Sequence, residues 1–239
     1  MNLREWNARL HGLVVFRALL DDPVVAKLVD LTDRMEACAP GHAAVCDAVA
    51  QFEAALFDHT VNWSDHLSAA VLETETVCVR QAAAGTLSPV LQTALDRELA
   101  FLQALCGLTL DELLASAGSA AGQAQELDFL PRWETRPIDL PAAYAQRMSE
   151  VGKKGYGMFA KHHVFTVENG HLVPVKYPDP QKLSELPGYE GEREKVLANT
   201  RALLSGMPAN NVLLYGDAGT GKSSTVKAIA NEFAPDGLR

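Results

Sequence analysis

The sequence predicts a helical N-terminal domain, then a small β-hairpin region, then the start of an α/β domain. Three observations predict it. Residues 1–117 are punctuated by helix caps, of which Asp22-Pro23, Ser88-Pro89 and Thr109-x-x-Glu112 are the clearest. Asn169-Gly170 stands between two runs rich in β-formers. An apolar run, Val212–Tyr215, meets a glycine-rich loop that opens into residues of helical period.

The caps divide the first part. An Asp or Ser side chain satisfies free N–H groups of a first turn, and Pro at the next position has no N–H to lose. Asp22 therefore starts a helix that Pro40-Gly41 closes, and a second covers about 43–57. Ser64 or Asp65 starts a third, running to Gly85; Ser88 starts a fourth, running to Gly107. Thr109 and Glu112 form a capping box for a short fifth. In the fourth, Val90, Leu91, Leu95, Leu99, Leu102 and Leu105 form one apolar stripe, which needs a packing partner. Residues 1–117 read as one acidic helical domain. Residues 118–140 read as a linker, with Phe129 and Trp133 docking on one domain.

Residues 141–185 form a second region. A helix over 141–151 precedes Gly152-Lys-Lys-Gly-Tyr-Gly157, and the hairpin follows. Phe159, Val164, Phe165 and Val167 lie before its turn, Leu172, Val173 and Val175 after it, and Asn-Gly favours type I′ geometry. Lys153, Lys154, Lys161, His162, His163 and Lys176 gather nearby. They could contact phosphate, but lysines blunting an exposed hairpin edge is the plainer reading. His162 and His163 would point to opposite faces of a strand, which argues against a shared metal.

Residues 186–239 carry the chemistry. Leu186-Pro-Gly188-Tyr189-Glu190 leads into a helix over about 190–204, stopped by Gly206 and Pro208. Val212–Tyr215 is wholly apolar, as expected of a strand buried on both faces. Gly216-Asp217-Ala218-Gly219-Thr220-Gly221-Lys222-Ser223 then matches G-x-x-x-x-G-K-[ST], the phosphate-binding P-loop. Glycine permits backbone turns closed to other residues and lets the chain approach a ligand. The amides from Gly219 to Ser224 would form a nest at the positive end of a helix dipole. Lys222 would reach the β- and γ-phosphates as the catalytic cation, and the Ser223 hydroxyl would be a magnesium ligand. Val226, Ile229, Ala230 and Phe233 recur at helical spacing beyond it.

Charge and cysteines bound the alternatives. Residues 1–130 carry 7 Lys and Arg against 18 Asp and Glu, while 131–239 carry 14 against 12. So acidic a first half is not expected to bind nucleic acid. Cys38, Cys46, Cys78 and Cys106 are widely spaced, as reduced thiols on apolar helix faces would be. No run approaches 18 uncharged apolar residues, so the expectation is a cytoplasmic protein without a membrane span.

The succession of glycine loop, helix, apolar strand and P-loop resembles an AAA+ ATPase. More narrowly, Gly188-Tyr-Glu190, Asn199-Thr200, Pro208-Ala-Asn-Asn-Val212 and Gly219-Thr-Gly-Lys-Ser-Ser224 look like the bacterial family catalogued as domain of unknown function 815. The likeness covers roughly 150–239 and is specific in 186–239. It implies an α/β P-loop NTPase (AAA+-like) domain binding ATP and Mg2+, with Gly188 and Tyr189 lining the base pocket. It also implies assembly into homo-oligomers and an unidentified protein client; the helical domain, outside the likeness, is expected to recruit a partner or substrate. Many AAA+ loops have Pro where Ala218 stands, a change that bears on stiffness rather than chemistry.

A P-loop ATPase also needs an acidic residue on a neighbouring strand. Seventeen residues follow Lys222. The expectation is therefore a truncated α/β domain in the N-terminal portion of a longer ATPase, with negligible hydrolysis by these 239 residues. Two other readings stay open: a nucleotide-sensing scaffold that never hydrolyses, and a P-loop kinase or other phosphotransferase.

Overall fold

The computed structural model describes residues 1–37, 42–118 and 127–239. They are mostly helical, with one two-stranded antiparallel sheet among the described residues. The chain divides into two compact units, Met1–Ser149 and Glu150–Arg239.

The first unit holds α1 (Leu3–His11), α2 (Pro23–Glu36), α3 (His42–Phe57), α4 (Trp63–Glu73), α5 (Val77–Ala83), α6 (Pro89–Cys106) and α7 (Leu110–Ser116). It also holds most of α8 (Leu140–Lys154). Helix α2 packs on α1 and α3, and α4 and α5 pack on α6. Four of the expected starts form as read. The Asp22 side chain accepts from the N–H groups of Val24 and Val25, Ser88 caps α6, Thr109 and Glu112 cap each other's ends, and α3 spans the second predicted helix.

The core centres on three aromatic rings. Phe52 meets Trp63 at 5.4 Å and Trp133 at 4.8 Å between ring centroids, both edge-on. The last carbonyls of a helix have no partner within it. Here Trp63 Nε1–H donates to the Leu105 oxygen, the Ser64 hydroxyl to Cys106 and Trp133 Nε1–H to Leu108. Three side chains thus finish the C-terminal end of α6 and its exit while filling the core.

Several expectations change. Helix α1, which the cap pattern did not signal, starts at an Asn2–Glu5 capping box. The single helix expected to begin at Ser64 or Asp65 is two helices, and Asn62 caps the first. Ser64 is buried instead, where its hydroxyl serves α6. The chain breaks after Glu73, and the Thr76 hydroxyl caps α5 by accepting from Val79. Val90 leaves the apolar stripe of α6 and is 79% exposed in its first turn. The stop expected at Pro40-Gly41 lies outside the described residues, as does Cys38. Of the stretch 118–140 expected to link domains, residues 119–126 are also outside them. Leu127, Trp133 and Leu140 are buried in the helical unit, and Glu134 pairs with Val61 and Trp63 through backbone bonds of 2.9 Å. Phe129 stays exposed.

The second unit contains α9 (Met158–Lys161), β1 (Phe165–Glu168), β2 (His171–Pro174), α10 (Glu190–Leu204) and α11 (Lys222–Phe233). The hairpin forms as read. Glu168 pairs with His171 across a two-residue turn, with φ of 51° at Asn169 and 80° at Gly170. Phe159 lies in α9, short of the strand, and its ring rests 5.0 Å from that of Phe165. Helix α10 occupies its predicted span and closes at Gly206 in a left-handed conformation.

The buried strand expected over Val212–Tyr215 does not form. Val212 is 49% exposed, Leu213 83% and Tyr215 87%. An apolar run becomes a buried strand only where other strands flank it, and among the described residues none lies beside this one. The segment is an exposed connector into the loop.

Candidate functional site

The loop Gly216–Gly221 is built by three glycines. Their φ values are 138° at Gly216, 82° at Gly219 and 79° at Gly221, all in the region that a Cβ disfavours. Gly221 is the N-cap of α11, so the chain turns sharply and enters the helix at Lys222. Thr225 closes the first turn, its N–H and hydroxyl both donating to the Gly221 oxygen.

The loop is held by its own lysine. Lys222 Nζ donates to the backbone oxygens of Gly216 at 2.9 Å and Asp217 at 2.6 Å, and to Thr220 Oγ1 at 3.2 Å. The Thr220 hydroxyl donates in turn to the Asp217 oxygen at 2.9 Å. Lys222, Asp217 and Thr220 thus form one closed arrangement within the octapeptide. Ala218, Gly219 and Ser223 lie on its exposed side. The chain makes a turn at 218–219, and among the described residues the backbone N–H groups of 219 and 221–224 make no hydrogen bond within the chain.

Gly188 and Tyr189 are placed by α10. Gly188 has φ 73° and Tyr189 φ 58°, the latter a left-handed conformation uncommon for a bulky residue. The first turn of α10 fixes this kink. Glu190 Oε1 accepts from the Gly188 N–H, while the Arg193 guanidinium donates to the Leu186 and Gly188 oxygens. The Tyr189 side chain is 58% exposed. Among the described residues no hydrogen bond joins Gly188 or Tyr189 to 216–224, so the two parts of the expected pocket are separately built.

Helix α11 is anchored away from the loop as well. Asn231 joins three segments: Oδ1 faces His163 Nε2 at 3.1 Å, and Nδ2 donates to the oxygens of Asp179 and Gln181. Lys227 pairs with Asp179 at 3.0 Å. Of the four apolar positions expected to bury α11, Ile229 is buried and Val226 is 57% exposed; Ala228, between them, is buried instead. The basic residues around the hairpin are partly spoken for, since Lys154 pairs with Glu150 and His163 with Asn231.

Arg193 and Asn231 are the residues here that sequence reasoning missed. Asn231 bonds backbone oxygens distant in sequence and Arg193 bonds oxygens in the loop just before its own helix, and no motif marks either.

No curated protein and no solved structure matches the chain significantly. One family model does, over the segment that carries the hairpin, α10 and the loop. Residues 159–239 match the model of the family described as Protein of unknown function (DUF815).

Proposed function

We propose that residues 186–239 bind the polyphosphate of ATP together with Mg2+, as the nucleotide-binding part of an AAA+-type ATPase. The observation that supports this is the loop itself. Three left-handed glycines, a run of uncommitted N–H groups and a lysine ammonium converge at the N-terminus of a twelve-residue helix. Amides and ammonium are the donors a polyphosphate needs, and the helix end adds its positive potential.

In this reading the amides of Gly219–Ser224 hold phosphate oxygens. Lys222 exchanges the carbonyls of Gly216 and Asp217 for the β- and γ-phosphates, so its charge is used rather than created on binding. The Ser223 hydroxyl, exposed at the first turn, supplies one oxygen to Mg2+. Tyr189 offers an exposed aromatic ring for the base. The helical unit serves recruitment of a partner.

Thermal melting with and without Mg-ATP tests the reading. A ligand that binds only the folded chain at about 100 times its Kd stabilises it by about 2.7 kcal/mol. The expected result is a rise in Tm with Mg-ATP that Lys222→Ala removes. A Tm indifferent to millimolar Mg-ATP contradicts it.

A further inference from the structure

The sequence singles out Asn199-Thr200 and Pro208-Ala-Asn-Asn-Val212 without giving them a role. In the structure these two stretches meet. The Asn199 side-chain amide lies against the backbone of Asn210 and makes both bonds a peptide can make. Nδ2 donates to the Asn210 oxygen at 2.8 Å, and Oδ1 accepts from the Asn210 N–H at 2.9 Å.

This is the pairing that the peptide of a neighbouring strand would supply. It occurs just before a segment that lacks one, since residues 211–215 make no backbone hydrogen bond among the described residues. The connector is therefore held at two points. Asn199 grips it at Asn210, and Lys222 grips Gly216 and Asp217.

The same helix also touches α11, at the end away from the loop. The Arg201 guanidinium sits 5.9 Å from the centroid of the Phe233 ring, at the end of α11. Helix α10 thereby touches the chain entering the loop and the helix leaving it, and residues 216–221 lie between these contacts in sequence. Shifting Asn210 moves Gly216 relative to α11, and an anion nest loses affinity when its amides no longer converge.

We infer that Asn199 is a positioning residue for phosphate binding: its amide sets where the chain enters the loop, without itself touching the ligand. The inference rests on the proposal that the loop binds polyphosphate. Asn199 lies mid-helix and its partner is exposed, so alanine, a better helix former, should leave α10 intact.

The test is calorimetric titration of the full chain with Mg-ATP and, separately, with magnesium pyrophosphate. Wild type is compared with N199A, with N210P and with the double variant. Asn210→Pro deletes the N–H that Asn199 accepts from and leaves α10 unchanged. The expected result is a loss of about 5–10-fold for both ligands in each single variant, with Tm within about 2 °C of wild type. The double variant should be no weaker than N199A, because N199A already removes both bonds of the clamp and N210P one of them. Parallel loss for pyrophosphate shows that the phosphate nest, not a base contact, has moved. Wild-type affinity in N199A, or losses that add in the double variant, overturns the inference alone. If wild type binds neither ligand, the phosphate-binding proposal falls, and this inference with it.

Discussion

The ammonium of Lys222 lies 2.6 Å from the backbone oxygen of Asp217, five residues earlier in the same loop. A lysine so placed neutralises the inward carbonyl dipoles of a tight turn and keeps the loop in one shape. The shape depends on Gly221, whose φ of 79° aims the chain into α11. Gly221→Ala puts a Cβ in a left-handed conformation, at a cost of about 1–2 kcal/mol. The expected outcome is a slightly lower Tm and nucleotide affinity reduced at least about tenfold, checked by melting and by titration with Mg-ATP.

Glu53 predicts an unusual pH dependence. It is 2% exposed, and among the described residues neither carboxylate oxygen has a hydrogen bond of normal geometry. Burial pushes its pKa up to about 7, against the weaker pull of Arg132 and of the Trp133 N–H. The folded chain thus holds this proton more tightly than the unfolded chain does. Its stabilising effect is complete below about pH 4.5 and is lost as pH rises to about 7. Glu53→Gln should raise stability at pH 8 by about 1–3 kcal/mol relative to its effect at pH 5. Urea unfolding at the two pH values measures the difference, and an equal effect at both contradicts the assignment.

Asp22 predicts the opposite slope. Burial alone would raise its pKa, but the bonds from His66 and from the N–H groups of Val25 and Val24 outweigh it, and the carboxyl titrates below its ordinary range. A group held ionised in this way stabilises above its unfolded pKa, near 4. That contribution fades as pH falls through the lower folded value. Asp22→Ala removes the cap of α2 and should cost about 1–2 kcal/mol at pH 7. As pH falls through that lowered value the gap between variant and wild type should shrink markedly, which acid titration followed by circular dichroism would detect.

What could be read in advance follows from how local each cause is. Asp22-Pro23, Ser88-Pro89 and Thr109–Glu112 act within one helical turn, and Asn169-Gly170 within one hairpin, so the sequence alone determines them. The glycine turn that opens into α11 was legible for the same reason. Helix α1 escaped notice because its capping box uses Asn2 in place of Ser or Thr. The break between Glu73 and Val77 escaped because Thr76 caps a helix inside an otherwise continuous pattern. Val212–Tyr215 misled because apolar character specifies burial only when partner strands are at hand. The clamps by Arg193 and Asn199 were invisible, since each joins a side chain to backbone that only the fold brings near.

Trp133 tests whether the stretch around it belongs to the helical unit. Its ring packs edge-on against Phe52 and its Nε1–H satisfies the Leu108 oxygen. Trp133→Ala leaves a cavity and an unpaired carbonyl together, for an expected loss of about 3–5 kcal/mol. Denaturant unfolding should show it as a lower midpoint. A change under about 1 kcal/mol would mean that the stretch is only loosely attached.

On the proposal made above, the loop at 216–223 binds a nucleotide polyphosphate through Lys222. Isothermal titration of Mg-ATP into wild type and Lys222→Ala tests it most directly. The expected result is saturable one-site binding by wild type and a loss of about 100-fold or more in the variant, with circular dichroism unchanged. Equal binding by the two proteins, or none by wild type, would contradict it.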